Sequence, residues 1–200
     1  MGAGAVARAG IYRRLCLYAL MPVQNAAPFA VCFSGHRPEK LPEGDALRML
    51  LSLLYREIEN AAEAGANIFY TGCAPGIDLW AADMVLLQRR SNPAMQLVCV
   101  LPFPQQINTL RGDVRYHYRT VLSAADRIET VGQHYYRGCY QARNRYLIEH
   151  SSRLIAVVTD MQSGTGQTIR IARRAGITTK IVSMASAAAQ AGYAHEYLKY

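Results

Sequence analysis

The stretch Ile68 to Asp83, IFYTGCAPGIDLWAAD, leaves few folds open, because it reads as one unit of strand, glycine turn and helix. Ile68-Phe69-Tyr70-Thr71 is β-branched and aromatic without polar alternation, which suits a strand covered on both faces. Gly72 and Gly76 bracket Cys73-Ala74-Pro75, where small side chains let the backbone bend and leave nothing bulky to keep a ligand away. Leu79, Ala82 and Leu86 follow at helical spacings behind a proline that a first turn tolerates, which places Asp78 in that turn. Such a turn gathers unpaired N–H groups at the positive end of a helix dipole and suits a phosphate or another anion. A plain βα connection uses the same residues, and a short glycine motif alone does not separate the two.

The rest of the chain repeats the pattern. Ala30 to Ser34 reads as a buried strand ending in Gly35-His36-Arg37-Pro38. Asp45 is expected to cap a helix whose apolar stripe is Leu47, Leu50, Leu51, Leu54, Ile58 and Ala61, with Gly65 closing it. Met95 to Leu101 is an apolar run broken at Pro102-Phe103-Pro104. The segment Gln105 to Ala125 reads as helical in its second half, Arg127 to Val131 as a short strand and Gly138 to His150 as a helix. Leu154 to Val158 is the clearest buried strand, followed by Asp160 and by Ser163-Gly164-Thr165-Gly166, which opens a helix ending at Gly176. Thr179 to Ser183 is a last strand and the alanine-rich tail a last helix. Strands alternate with helices about six times without hairpin signals. The expected fold is therefore a single α/β, Rossmann-like domain over 29–200, with a mostly parallel sheet and helices on both faces.

Composition narrows the function. The formal charge is +8. Arg8, Arg13 and Arg14 stand in the first 28 residues with no acid, so +8 less +3 leaves +5 for the remainder, a mild attraction for phosphates on a small ligand or a nucleic acid. Cys16, Cys32, Cys73, Cys99 and Cys139 are odd in number and lack any CxxC pair, which speaks against a disulfide framework or a zinc site and for a reducing cytoplasm. The five histidines show no metal-ligand spacing. No apolar run reaches the ~18 residues a membrane span needs. Residues 1–28 resemble a signal peptide only weakly and read as a poorly ordered extension, with Met21 as a start.

In a parallel sheet, ligands sit beyond the carboxyl ends of the strands, where the glycine-bearing loops should converge. Gly72 to Gly76 and Gly164 to Gly166 each offer an anion site. Neither is GxGxxG nor GxxxxGK[ST], so neither a dinucleotide fingerprint nor a P-loop is expected. Arg37 could pair with a phosphate or carboxylate, against its reading as a solvated loop arginine. Asp78 could accept from a ribose hydroxyl or simply complement the helix dipole. Asp160 could hold a hydroxyl or serve as a turn aspartate. The block from His134 to Tyr146 mixes tyrosines with Arg137, Arg143 and Arg145 and could stack a base, although a helix face packed by tyrosines accounts for all of it except Arg143 and Asn144. Cys73 at a helix start could have a lowered pKa, but a small turn residue explains it better.

Ser34-Gly35-x-Arg37, Gly72-Cys73-Ala74-Pro75-Gly76-Ile77-Asp78, Pro102-Phe103-Pro104, Arg143-Asn144 and Ser163-Gly164-Thr165-Gly166 together resemble the YpsA-like branch of the SLOG superfamily, over about residues 29–184. That superfamily joins DNA-processing protein A (Smf) to the Lonely Guy hydrolases. The resemblance implies a pocket for a nucleotide or nucleotide derivative, lined by Ser34, Gly35, Arg37, Gly72, Cys73, Ala74, Gly76, Asp78, Pro102, Phe103, Arg143, Asn144, Asp160, Gly164 and Thr165. Cys73 stands where many of these proteins have glycine. The Lonely Guy pattern PGGxGTxxE, aligned on Gly164-Thr165, puts Thr168 at the catalytic glutamate, and threonine cannot act as a carboxylate acid or base. A binding or sensor role comes first. An N-glycosidic hydrolase using Asp78 or Asp160 comes second, and single-stranded DNA binding third. No certain cofactor and no metal are implied, and a homo-oligomer stays open.

Overall fold

The computed structural model describes residues 29–183, in which strands and helices alternate. β1 (Ala30–Gly35) leads to α1 (Gly44–Glu63), β2 (Ile68–Thr71) to α2 (Ile77–Gln88), and β3 (Gln96–Leu101) to α3 (Gly112–Ala124). β4 (Arg127–Thr130) leads to α4 (Cys139–Glu149), and β5 (Arg153–Val157) to α5 (Gly164–Arg174) before β6 (Thr178–Val182). Short 3-10 helices at Pro38–Lys40 and Pro104–Thr109 follow β1 and β3. The extension over 1–28, the start at Met21 and the alanine-rich last helix lie outside the described residues.

The six strands make one sheet in the order β4-β3-β2-β1-β5-β6, and every neighbouring pair is parallel. This is a Rossmann-like α/β domain. The two-residue period of a strand sends Val31 and Phe33 to one face, where they join Leu50, Leu54, Ile58, Ile77 and Leu79 under α1 to α3. Ala30 and Cys32 face the other way and pack with Leu147, Ile148, Ile169 and Ala172 of α4 and α5. Each large side chain that is fully buried in this way contributes about 1.5–3 kcal/mol. The edge strand β4 lacks such cover, and its Ile128 is 52% exposed.

One helix start departs from expectation. α1 begins at Gly44 after Glu43, and Asp45 lies within the first turn instead of capping it, paired with Arg48 one turn on. Gly44, at φ +60°, bends the chain into the helix ahead of Asp45. No helix among the described residues is long and apolar enough to cross a membrane.

From β1 the chain steps outward through β2 and β3 to β4, then returns to lay β5 on the other side of β1. The loops after β1 and β5 therefore diverge to opposite faces, and a crevice opens between them at the carboxyl ends of the strands.

Candidate ligand-binding site

A cavity of about 630 Å³ occupies that crevice. The end of β1 and the loop after it supply Ser34, Gly35, His36, Arg37, Glu39 and Lys40, and the turn into α2 with its first helical turn supplies Ala74, Pro75 and Asp78. Gln106, Thr109 and Leu110 come from the segment after β3; Tyr140, Arg143 and Asn144 from α4; and Ser163, Gly164 and Thr165 from the opening of α5. This volume is in the range of small-molecule sites.

The first glycine turn is closed by the protein itself, contrary to the open turn expected from its small side chains. Arg143 lies over Gly72, and a Cβ built on Gly72 would fall 1.5 Å from Arg143 Nη1. The amides expected to meet an anion are engaged: Cys73 N–H donates to Thr71 Oγ1 at 3.2 Å, Ala74 N–H to Asp78 Oδ2 at 3.4 Å and Ile77 N–H to the His36 carbonyl at 3.3 Å. Gly76 holds φ +92°, and a Cβ there would lie 2.6 Å from the His36 carbonyl oxygen, so the close approach of the first two loops requires glycine. Cys73 is itself left-handed at φ +53°, with its side chain fully buried. Burial pushes the Cys73 thiol well up, opposite to the lowering that a helix start alone would give.

Asp78 and Arg143 form a buried pair across the floor, 3.5 Å between Oδ2 and Nη1, each residue 5% exposed. Burial raises the Asp78 pKa, with Arg143 and the N–H groups of Ala74 and Gly35 pulling the other way. Arg143 Nε is buried and has no acceptor. The guanidinium thus keeps hydrogen-bonding capacity that the protein does not use.

The second glycine turn is different. Ser163 caps α5 by accepting from Gly166 N–H at 3.2 Å, which leaves the N–H groups of Gly164 and Thr165 without an intrahelical acceptor at the wall of the cavity. Nothing lies within 4 Å of a Cβ built on Gly164. Thr168, 1% exposed, donates to the Gly164 carbonyl at 3.1 Å and accepts from Asn144 Nδ2 at 2.9 Å, so it ties α4 to the first turn of α5. Of the charged side chains around the cavity, Arg37, Lys40 and Arg143 oppose Glu39 and Asp78, and three less two leaves one positive charge. Burial lowers the His36 pKa, and its Nε2 accepts from Asp160 N–H at 3.3 Å.

Of the residues singled out from sequence, Ser34, Gly35, Arg37, Ala74, Asp78, Arg143, Asn144, Gly164 and Thr165 line the cavity, whereas Gly72, Cys73, Gly76, Pro102, Phe103 and Asp160 do not. Phe103 lies behind Tyr140 in an edge contact, ring centres 6.2 Å apart. Asp160 turns into its own loop, with its Oδ1 accepting from Gln162 N–H at 2.8 Å. Sequence reasoning missed His36, Glu39, Lys40, Pro75, Gln106, Thr109, Leu110, Tyr140 and Ser163 as lining residues. The Ser-Gly-Thr-Gly capping signal could have found Ser163; Tyr140 belongs to the block that could stack a base but reads as packing, and Gln106 carries no local signal. Among the described residues, no group of three or more His, Cys, Asp or Glu side chains could hold a metal ion.

Comparison with known proteins gives a consistent setting. Residues 31–179 match the family model described as the YspA SLOG family. A UPF0398 protein of Bacillus cereus strain B4264 is 24% identical over 141 residues, 68% of this chain and 77% of that protein. A UPF0398 protein of Halalkalibacterium halodurans is 30% identical over 105 residues, 52% of this chain and 56% of that one. Among solved structures, DNA processing protein A from Helicobacter pylori, described for its single-stranded DNA binding mode, aligns with a TM-score of 0.54 at 18% identity, over 82% of this chain and 73% of that one. DNA processing protein A from Streptococcus pneumoniae aligns with a TM-score of 0.55 at 17% identity, over 77% and 50%. At such identities the likeness is one of fold.

Proposed function

This chain belongs to the YspA SLOG family, and we propose that it binds a nucleotide or nucleotide-derived small molecule in the crevice between β1 and β5, in a sensor or binding role. The observation that carries the reading is the meeting, around one cavity, of the free amides of Gly164 and Thr165 with the buried Arg143, whose Nε lacks an acceptor. Helix N-termini favour anions, and a guanidinium pairs with phosphate or carboxylate oxygens. Arg37 and Lys40 stand at the exposed side, where a charged ligand enters. Asn144, fixed by Thr168, supplies a polar contact between these anion donors and the floor.

The hydrolase reading has less support. Thr168 offers no carboxylate, Asp160 lies outside the cavity, and Asp78 is committed to Arg143 and Ala74. Single-stranded DNA is the competing ligand class, for which exposed Tyr135, Tyr136, Arg137 and Arg145 would be the contacts.

Isothermal titration against nucleoside mono-, di- and triphosphates, NAD, ADP-ribose, cyclic dinucleotides and a single-stranded oligonucleotide tests the reading. Saturable binding of one small ligand per chain, weakened by Arg143→Lys and Arg37→Ala, is expected. Binding of the oligonucleotide alone, steeply weakened by salt and by loss of Arg137 and Arg145, would overturn it.

A further inference from the structure

The cavity is not uniform from end to end. Its anion donors, Gly164 and Thr165, follow β5, while Gln106 follows β3. In the sheet order these strands are separated by β2 and β1, so the two ends stand three strand spacings apart, roughly 14 Å. A sugar phosphate held at Gly164 leaves the β3 end empty.

The residues at that end suit a flat heteroaromatic ring. Tyr140 lines the cavity half-buried, and its ring is set from behind by Phe103 at an interplanar angle of 71°. Phe103 is buried and is held in turn by Tyr135, ring centres 5.7 Å apart at 84°. The edge contact with Phe103 favours one orientation of Tyr140 before any ligand arrives, which lowers the entropy cost of stacking on it. Gln106 is 3% exposed and lines the same end. Its Oε1 faces the Tyr118 hydroxyl in a long contact of 3.4 Å, and this placement leaves the Nε2 hydrogens for an acceptor in the cavity.

Resting on the nucleotide reading above, we infer that Tyr140 and Gln106 form a base subsite: the nucleobase stacks on Tyr140, one of its ring nitrogens or carbonyl oxygens accepts from Gln106 Nε2, and the phosphate lies at Gly164 and Thr165. The ligand class is then a 5′-phosphorylated nucleoside or a longer molecule that contains one. A sugar phosphate without a base fills half of the site.

The experiment titrates wild type, Tyr140→Ala, Tyr140→Phe and Gln106→Met with the four common nucleoside 5′-monophosphates and with ribose 5-phosphate. Wild type should prefer at least one nucleotide over ribose 5-phosphate by about tenfold or more, the scale of one base–aromatic stack. Tyr140→Ala should collapse that preference, Tyr140→Phe should keep it, and Gln106→Met should reduce the spread among the four bases. Equal binding of nucleotides and ribose 5-phosphate, or a preference untouched by Tyr140→Ala, would overturn the subsite and leave the phosphate end standing. Binding of none of these ligands would overturn both.

Discussion

Arg143 Nη1 sits 3.5 Å from Asp78 Oδ2, across 65 residues of sequence, in the volume that a side chain on Gly72 would need. The glycine of the first turn therefore makes room for an arginine, where sequence had suggested room for a ligand, and under the proposed function the anion contacts fall to the guanidinium and to α5 instead of the turn backbone.

Gly72→Ala should displace Arg143, because the added methyl would fall 1.5 Å from Nη1. Forcing a group into a packed interior costs about 1–3 kcal/mol. Urea unfolding should show a loss in that range together with weaker nucleotide binding. An alanine variant as stable and as competent as wild type would show that Arg143 is not seated there.

The fold was legible because its signals are local. Buried strands such as Leu154–Val158 and glycine stops such as Gly65 and Gly176 stand out without a partner in view. The order β4-β3-β2-β1-β5-β6 was not legible, since nothing in the strand residues names their neighbours. In the site, Gly164 and Thr165 announced themselves as a helix start, and Arg143 and Asn144 stood out against their tyrosine-rich block. Gln106 and Tyr140 did not, because their placement depends on how the segment after β3 meets α4. Asp160 misled for the opposite reason: a carboxylate at a strand end looks like a ligand group, yet its own loop uses it to turn.

Cys73 should reverse the usual order of alanine and glycine. At φ +53°, a side chain costs about 1–2 kcal/mol, more than the ~0.8 kcal/mol that burying one methyl returns. Both Cys73→Ala and Cys73→Gly lose the buried thiol, but only glycine relieves the backbone. Thermal unfolding should place Cys73→Gly at or above Cys73→Ala, and a clear advantage for alanine would contradict the left-handed conformation.

Removing one partner of the buried pair exposes what the other costs. Arg143→Met leaves Asp78 buried without its counter-charge and should destabilise the protein by about 3–5 kcal/mol at neutral pH. Adding Asp78→Asn should recover part of that loss, and a double variant worse than the sum of the two singles would contradict the pairing.

The pH dependence of Asp78 has a definite sign. Because burial raises its folded pKa above the ordinary 3.8, the folded state binds more protons than the unfolded state between those values. Its contribution to stability therefore grows as pH falls through the raised pKa towards 3.8, and is withdrawn as pH rises. Wild type should gain stability relative to Asp78→Asn on acidification over that window. A relative loss in urea unfolding would mean that Arg143 outweighs burial.

The most direct test of the account is ligand-dependent thermal unfolding of wild type beside Gly164→Asp. The open space at Gly164 admits the carboxylate, and an acid in the first turn of α5 suits the helix dipole, so the variant should fold at least as stably as wild type. That carboxylate would nevertheless occupy the place assigned to phosphate. A nucleotide present at about 100 times its Kd should stabilise wild type by about 2.7 kcal/mol, or roughly 5–10 °C in Tm for a domain of this size, and should leave Gly164→Asp unmoved. Equal shifts in the two proteins would contradict a phosphate site at the opening of α5.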